Sequence, residues 1–188
     1  METPMPNKTS QPRRICIIGA RGVGKSSLVK AALPRLDGWI HLIGSEILSS
    51  LLPAGETMAA LDIQQRRHYR HLAAAFMLKQ DLSGKAGLLC EGHCALYSER
   101  TGVAEEIFTQ ADDTLFTEII ELIAPAEEVL RRRQRDQLKA RPLTIQAIEA
   151  EIFAEHQAAR NACLRNGCKL TTLGADDLHG LIATLHAK

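Results

Sequence analysis

The sequence predicts an α/β protein in which helices cover both faces of a five-stranded parallel sheet. Short apolar runs alternate along the chain with segments of helical periodicity, as parallel strand–helix–strand units require. A glycine-rich phosphate-binding motif lies between the first apolar run and the first helical segment. We expect one three-layer domain over residues 13–188, preceded by a disordered segment over 1–12 that is rich in proline and small polar residues.

The predicted strands are short apolar runs, several of them rich in β-branched residues. Strands of a parallel sheet are buried on both faces, so they appear as continuous apolar runs. The chain contains such runs at residues 14–18, 39–43, 85–90, 116–123 and 169–173. Helical segments are predicted at residues 27–33, 45–52, 57–82, 101–110, 126–139, 144–166 and 175–187.

The phosphate-binding motif fits the pattern G-x-x-x-x-G-K-[S/T] over residues 19–26. Its glycines allow successive backbone N–H groups to surround a phosphate, and the helix that follows adds the positive end of its dipole. Lys25 is placed to reach the β- and γ-phosphates, and the Ser26 hydroxyl to bind the Mg²⁺ that accompanies ATP. The residues expected to bind ATP are Gly19, Ala20, Arg21, Gly22, Val23, Gly24, Lys25, Ser26 and Ser27.

Glu91 directly follows the third predicted strand. Ligands of open parallel sheets bind at the carboxyl ends of the strands, so this carboxylate is expected near Ser26. There it would hold Mg²⁺ through water or orient an acceptor hydroxyl. The alternative is a strand-end charge that faces solvent. His93, two residues further on, is a weaker candidate for contact with the acceptor.

Two basic clusters follow the motif. The helix predicted over 57–82 carries Arg66, Arg67, His68, Arg70 and His71. Arg66 and Arg70 share one face and are the natural pair for an anionic acceptor, although a solvated basic face is also possible. The second cluster comprises Arg131, Arg132, Arg133, Arg135, Lys139 and Arg141, around a break at Pro142. Guanidinium groups at such a helix–loop–helix suit a phosphoryl-transfer lid.

Composition narrows the function classes further. The formal net charge of +1 gives no general attraction to nucleic acid or acidic membranes, and we expect neither as a partner. The absence of a long apolar run and of a signal-peptide core predicts a cytoplasmic protein. The five cysteines lack paired zinc-site spacing and are expected to be reduced.

Several stretches resemble the small P-loop nucleoside monophosphate kinases, in particular the archaeal-type adenylate kinases. Residues 88–94, Leu-Leu-Cys-Glu-Gly-His-Cys, are similar to that family's apolar strand followed by Asp-Thr-His-Ala. Residues 119–136 are similar to its strand, acidic turn and arginine-rich lid, and residues 155–157 to a Glu-His-Gln element in the next helix. Glu91 stands where the family has aspartate, and Arg21 where it usually has proline.

The resemblance implies a sheet with strand order 2-3-1-4-5, a helical acceptor-binding arm at about 44–83 and a short lid at about 131–143. It implies catalytic roles for Lys25 and Glu91, and for one lid arginine among Arg132, Arg133 and Arg135 that bridges the transferring phosphoryl group, with Arg132 and Arg135 named as the candidates. The acceptor would contact Ser45, Arg66, Arg70 and His93, and Mg²⁺ would enter with ATP, near Ser26 and Glu91.

The sequence therefore predicts transfer of the γ-phosphoryl group of ATP to a nucleoside monophosphate, with AMP as the first candidate. An alternative acceptor is a small metabolite with a hydroxyl group, for which Glu91 would act as the base. A third hypothesis is a switch or assembly ATPase that only binds and slowly hydrolyses ATP. The sequence lacks the Asn-Lys-x-Asp guanine signature, which disfavours a GTPase, and it leaves the oligomeric state open.

Overall fold

A computed structural model describes residues 12–98, 101–136 and 141–187. The strands are β1 (Arg13–Ile18), β2 (Trp39–Ile43), β3 (Gly87–Glu91), β4 (Ala95–Ser98), β5 (Val103–Glu106), β6 (Glu118–Ile123) and β7 (Lys169–Gly174). The helices are α1 (Lys25–Ala32), α2 (Gly44–Leu51), α3 (Ile63–Leu78), α4 (Gln110–Leu115), α5 (Ala126–Arg135), α6 (Ile145–Asn166) and α7 (Leu178–His186). None of the described helices is long and apolar enough to cross a membrane.

The main sheet has five parallel strands in the order β2-β3-β1-β6-β7. This order is the predicted 2-3-1-4-5, with labels raised after β3 because two additional strands form a separate hairpin. The three-layer α/β fold class is therefore confirmed. Strand β1 is central, which places the loop after it at the carboxyl edge of the sheet, beside the end of β3.

Alternating side chains of β1 face two separate cores. Ile15 and Ile17 pack with the apolar faces of α1 and α7, whereas Cys16 and Ile18 pack with α3 and α6. These β1 residues are at most 2% exposed. The strand is apolar throughout because both of its faces are covered, as the sequence pattern indicated.

Some element ends differ from the prediction, for local reasons. Helix α3 begins at Ile63 rather than near 57, because Asp62 and Gln65 form a reciprocal capping box. Helix α5 ends at Arg135, earlier than predicted. The predicted segment 1–12 lies outside the described residues apart from Pro12, as does Lys139 of the predicted lid.

The short helix predicted over 101–110 is wrong. Residues 103–106 form strand β5, which pairs with β4 in an antiparallel hairpin. Gly102 has a φ of +66° in the turn, and its N–H donates to the Ser98 carbonyl at 2.8 Å. Pairing with β4 satisfies the β5 backbone, which decides the conformation of a segment whose sequence has no clear period.

The expectation of five reduced cysteines is also wrong, because Cys163 and Cys168 form a disulfide. Gly167 ends α6 in the left-handed region, with a φ of +72°, and its N–H donates to the Cys163 carbonyl at 2.8 Å. This turn brings Cys168 back against the last turn of the helix. Cys16, Cys90 and Cys94 are free and buried, and burial raises the pKa of each thiol, that of Cys90 to about 12.

Candidate nucleotide-binding site

The phosphate-binding loop joins β1 to α1, as the motif predicted. Gly24 precedes the first helical residue with a φ of +115°, a conformation that glycine adopts without steric cost. Among the described residues, no side chain caps this end of α1. The first N–H groups of the helix are therefore directed at the loop, where an anion would be stabilised by them and by the helix dipole.

Lys25 is held by two acceptors near the loop. Its Nζ donates to the Gly19 carbonyl at 2.5 Å and lies 3.4 Å from Nε2 of His93. Burial lowers the pKa of Lys25 from 10.5 to about 8, against the opposing pull of the Glu155, Glu151 and Glu91 carboxylates. This ammonium group is poorly solvated and would gain strongly from a phosphate partner.

Glu91 lies at the tip of β3 and is only 5% exposed, so it is not a strand-end charge that faces solvent. Its predicted place near Ser26 is correct, because the two side chains are hydrogen-bonded. The Ser26 hydroxyl donates to Glu91 Oε2 at 2.6 Å, and His41 Nε2 lies 2.9 Å from Glu91 Oε1. Hard oxygen donors of this kind fit Mg²⁺, which binds through few protein oxygens and retains water. Ser26 and Glu91 are thus the residues that would hold the metal.

Glu155, from α6, is a buried acceptor at the centre of the site. Its carboxylate accepts from the backbone N–H groups of Gly19, Cys94 and Ala95 at 3.2, 2.8 and 2.6 Å. It also lies 2.7 Å from Nδ1 of His93. The carboxylate is an acceptor, so Nδ1 carries the proton and Nε2 presents its lone pair to Lys25.

Glu151, one helical turn before Glu155, holds the outer side of the loop. It accepts from the Arg21 backbone N–H at 2.5 Å and from the Arg21 guanidinium at 3.0 and 3.2 Å. Arg133 Nη2 lies 3.0 Å from the same carboxylate, and its Nε donates to the Arg21 carbonyl at 2.8 Å. Burial raises the pKa of Glu151, but the hydrogen bonds and charge of Arg21 outweigh it and lower that pKa.

The arginines of the predicted lid therefore have different environments. Arg133 is 2% exposed and holds the phosphate-binding loop through the Arg21 carbonyl. Arg132 donates to the Val23 carbonyl and pairs with Asp176 at 2.9 Å. Arg141 pairs with Asp136 at 3.1 Å, and its Nη1 lies 3.0 Å from the point where a Gly22 Cβ would be. Arg135, predicted to be catalytic, lies on the solvent-facing side of α5. Its side chain is exposed and does not line the cavity.

One cavity of about 870 Å³ extends from the phosphate-binding loop to the arm helices α2 and α3. At the loop end it is lined by Lys25, Ser26, Glu91, His93, Arg132, Asp136 and Arg141. At the arm end the lining is largely apolar and includes Leu48, Leu52, Met58, Ala73, Met77, Leu96, Ile107, Phe108 and Phe116. Ser45, Ser49, Arg70 and Asp112 are polar groups of the same end.

The four residues predicted to contact the acceptor are only partly brought together. Ser45, Arg70 and His93 line the cavity. Arg66 does not line it, because its guanidinium is directed to Glu105 on β5 and to the Leu61 carbonyl. The expected pairing of Arg66 with Arg70 on one helix face is present, but both side chains contact a carboxylate of the protein itself.

His41, Glu151, Glu155 and Arg141 lie at the site but were not among its predicted residues. His41 and Glu151 are a strand histidine and a mid-helix glutamate, which carry no local signal of function. Glu155 belongs to the stretch similar to the Glu-His-Gln element, and Arg141 to the predicted lid. The sequence therefore indicated both regions but assigned neither residue a specific role in the site.

The fold and the loop together define a P-loop kinase-like protein. The chain belongs to the AAA domain family AAA_17, whose family model matches residues 18–149. None of the curated proteins matches the sequence significantly. The archaeal-type adenylate kinase resemblance is thus supported at the level of the P-loop kinase-like fold, and not at the level of that particular group.

Solved structures share the fold at low sequence identity. A gluconokinase from Sinorhizobium meliloti 1021 matches with a TM-score of 0.53 and 12% identity, over 93% of this chain and 89% of that chain. A chain of the Pnkp1/Rnl/Hen1 RNA repair complex matches with a TM-score of 0.54 and 15% identity, over 84% of this chain. The match covers 49% of that longer chain. These likenesses show the fold.

Glu155→Gln should destabilise the protein and weaken ATP binding. The amide keeps one acceptor oxygen for several buried donors, and each orphaned donor costs about 1–3 kcal/mol, so we expect a loss of about 2–4 kcal/mol in the free energy of unfolding. Urea denaturation and titration with Mg²⁺–ATP measure the two effects. The matched control is Glu149→Gln, on the exposed face of α6; equal behaviour of the two variants would remove the role of Glu155.

Affinity for Mg²⁺–ATP should fall as the pH rises through about 8, where Lys25 of the free protein loses its proton. The phosphates favour the charged form, so the loss approaches about tenfold per pH unit. Stability of the free protein should rise over the same interval, because the unfolded chain, with a Lys25 pKa near 10.5, binds the proton more tightly. Calorimetric titrations from pH 7.5 to 9.5 check the prediction. Lys25→Arg, which keeps its charge, should lack the decline in affinity.

Proposed function

We propose that the protein transfers the γ-phosphoryl group of ATP to a nucleoside monophosphate, with AMP as the first candidate. The observation that carries the proposal is a continuous cavity that joins the phosphate-binding loop to the apolar arm. A switch ATPase needs only the loop end. A kinase needs a second compartment that opens onto the same phosphates, because transfer depends on aligning donor and acceptor.

On the donor side, Lys25 would leave the Gly19 carbonyl and His93 for the β- and γ-phosphates. The exchange is favourable because a poorly solvated ammonium then meets several anionic oxygens. Ser26 and Glu91 would hold Mg²⁺, which neutralises charge on the β- and γ-phosphates when it is bound. Glu151 and Glu155 keep the loop backbone in place during this exchange.

Two arginines would stabilise the migrating phosphoryl group. Arg132 and Arg141 line the loop end of the cavity, and each approaches a glycine of the loop closely. Their carboxylate partners are Asp176 and Glu128 for Arg132 and Asp136 for Arg141, all at least partly exposed, so these pairs contribute little stability and can be exchanged for a phosphate. Charge develops on the transferred group in the transition state, where a guanidinium has its greatest effect.

On the acceptor side, the arm offers apolar surface and one cation to the cavity. Leu48, Met77, Phe108 and Phe116 can pack against a flat base, and Arg70 can bind the phosphate of a monophosphate. The likeness to an RNA repair complex concerns the fold, and a formal net charge of +1 favours a small acceptor over nucleic acid.

A hydroxyl-bearing metabolite is the second candidate acceptor, favoured by the environment of Glu91. This buried carboxylate has one oxygen on Ser26 and the other near His41, an arrangement suited to a base that takes the proton of a hydroxyl. A gluconokinase has the same fold. A monophosphate is already ionised at neutral pH and needs no such base.

A turnover assay with a panel of acceptors tests the proposal. ADP release is followed with ATP, Mg²⁺ and, in turn, nucleoside monophosphates, nucleosides and sugar acids, with Lys25→Ala as the blank. Phosphorylation of a monophosphate supports the proposal. Phosphorylation of a neutral alcohol or sugar acid alone moves the function to the metabolite kinase. Acceptor-independent ATP hydrolysis, unaffected by the whole panel, leaves the switch or assembly ATPase.

Arg141→Ala should lower kcat about 100-fold or more with a small change in the KM for ATP, because its charge acts mainly in the transition state. Arg135→Ala is the matched control: it removes the same charge from the same basic cluster, but at an exposed position, and should change kcat less than about twofold. Both constants come from the coupled assay. Equal kcat values in the two variants would exclude Arg141 from the reaction.

A further inference from the structure

Glu105 on β5 pairs with both Arg66 and Arg70 of α3, of which Arg70 lines the cavity. Its Oε1 accepts from Arg70 Nη1 at 2.7 Å, and its Oε2 lies 3.1 Å from Arg66 Nη2. The two carboxylate oxygens thus bridge two guanidinium groups, one helical turn apart on α3. An incoming phosphate would use the same donors in the same way.

Arg70 connects this cluster to the cavity. The Arg70 side chain is 10% exposed and lines the arm end, beside Phe108 of the chain segment that continues from β5. The Arg66 Nε is buried without a hydrogen-bond partner in the described part of the chain. The cluster therefore keeps a spare donor that Glu105 does not satisfy, whereas a phosphate has more acceptor oxygens than a carboxylate.

We propose that Glu105 stands in the place of the acceptor's anionic group and selects acceptors by charge, being displaced by a phosphate dianion and not by an uncharged group. The inference rests on the proposed function, of which it defines the acceptor class. Glu105 is a specificity-determining residue that competes with the acceptor for Arg66 and Arg70.

The strength of the Glu105 contacts suits a displaceable group. Glu105 and Arg66 are 30% and 26% exposed, so solvent screens their attraction. Burial raises the pKa of Glu105, but Arg70 and Arg66 outweigh it and lower that pKa, so the carboxylate is charged at neutral pH. A dianion interacts with the two cations more strongly than a monoanion, while a neutral acceptor would leave the arginines with Glu105.

A second carboxylate near Arg70 strengthens the selection for anionic acceptors. Asp112 of α4 lies near enough to interact with Arg70 and also lines the cavity. With Glu105 in place, Glu105 and Asp112 supply two carboxylates for Arg66 and Arg70, so this cluster carries no net positive charge. Once Glu105 moves away, the cluster has one unmatched positive charge that an anionic acceptor can use.

Binding measurements on Glu105→Gln test the inference. Calorimetry is carried out with the loop filled by Mg²⁺ and a non-hydrolysable ATP analogue, so that only the acceptor compartment is free. We expect the Kd for AMP to fall about tenfold relative to the wild type, as a competing charge is removed, and the Kd for adenosine to stay within about twofold. Glu106→Gln is the matched control, since Glu106 pairs with Arg165 instead.

A second background assigns the gain to the two arginines. In the double variant Arg66→Ala/Arg70→Ala, the additional change Glu105→Gln should leave the Kd for AMP unchanged, because both cations for which Glu105 and the acceptor compete are missing. Thermal unfolding of each variant is recorded as well. Glu105→Gln should be slightly less stable than the wild type, so a general loss of structure cannot mimic tighter binding.

Inorganic phosphate separates the failure of this inference from the failure of the proposed acceptor. If AMP binds to no variant, but phosphate binds more tightly to Glu105→Gln than to the wild type, and not in the Arg66→Ala/Arg70→Ala background, the anion position is correct and the nucleotide acceptor is wrong. An unchanged affinity for both AMP and phosphate in Glu105→Gln overturns the inference, as does an equal gain for adenosine.

Discussion

The buried carboxylate of Glu155 is the interaction on which the rest of the site depends. It is 1% exposed and joins the loop after β1, at Gly19, to the loop after β3, at Cys94 and Ala95. Burying a charge costs several kcal/mol unless its lone pairs are satisfied, and here backbone N–H groups and His93 satisfy them. Because Gly19 and Glu155 are 136 positions apart, this contact to the nucleotide loop forms only when α6 is docked.

The same helix organises the charges around the loop in two layers. Glu155 orients His93, which presents a lone pair to Lys25 and keeps it close to the phosphate position. One turn earlier, Glu151 fixes Arg21 and Arg133 on the outer side. Neighbouring arginines of α5 therefore differ: Arg133 is buried and supports the loop backbone, whereas Arg132 lines the cavity and pairs with the exposed Asp176.

The loop end and the arm end of the cavity differ in whether their cationic groups already hold an anion. At the loop, backbone N–H groups and the poorly solvated Lys25 are available to bind an anionic ligand. At the arm, Arg66 and Arg70 already hold the anion of Glu105. The hairpin that carries Glu105 replaces a predicted helix, so the charge of the acceptor compartment depends on a local structure that pairing between β4 and β5 creates.

The sequence by itself determined the fold class and the nucleotide loop, because apolar period, strand–helix alternation and glycine spacing are local properties. The strand order came from the resemblance to the P-loop nucleoside monophosphate kinases, and the structure has that order. The sequence also placed Glu91 beside Ser26, since the ends of neighbouring parallel strands meet at one edge. Only the tertiary structure decided which charges meet. Arg66 turned to Glu105 and Arg135 to solvent because partners in space, and not neighbours in sequence, fix the direction of a long charged side chain.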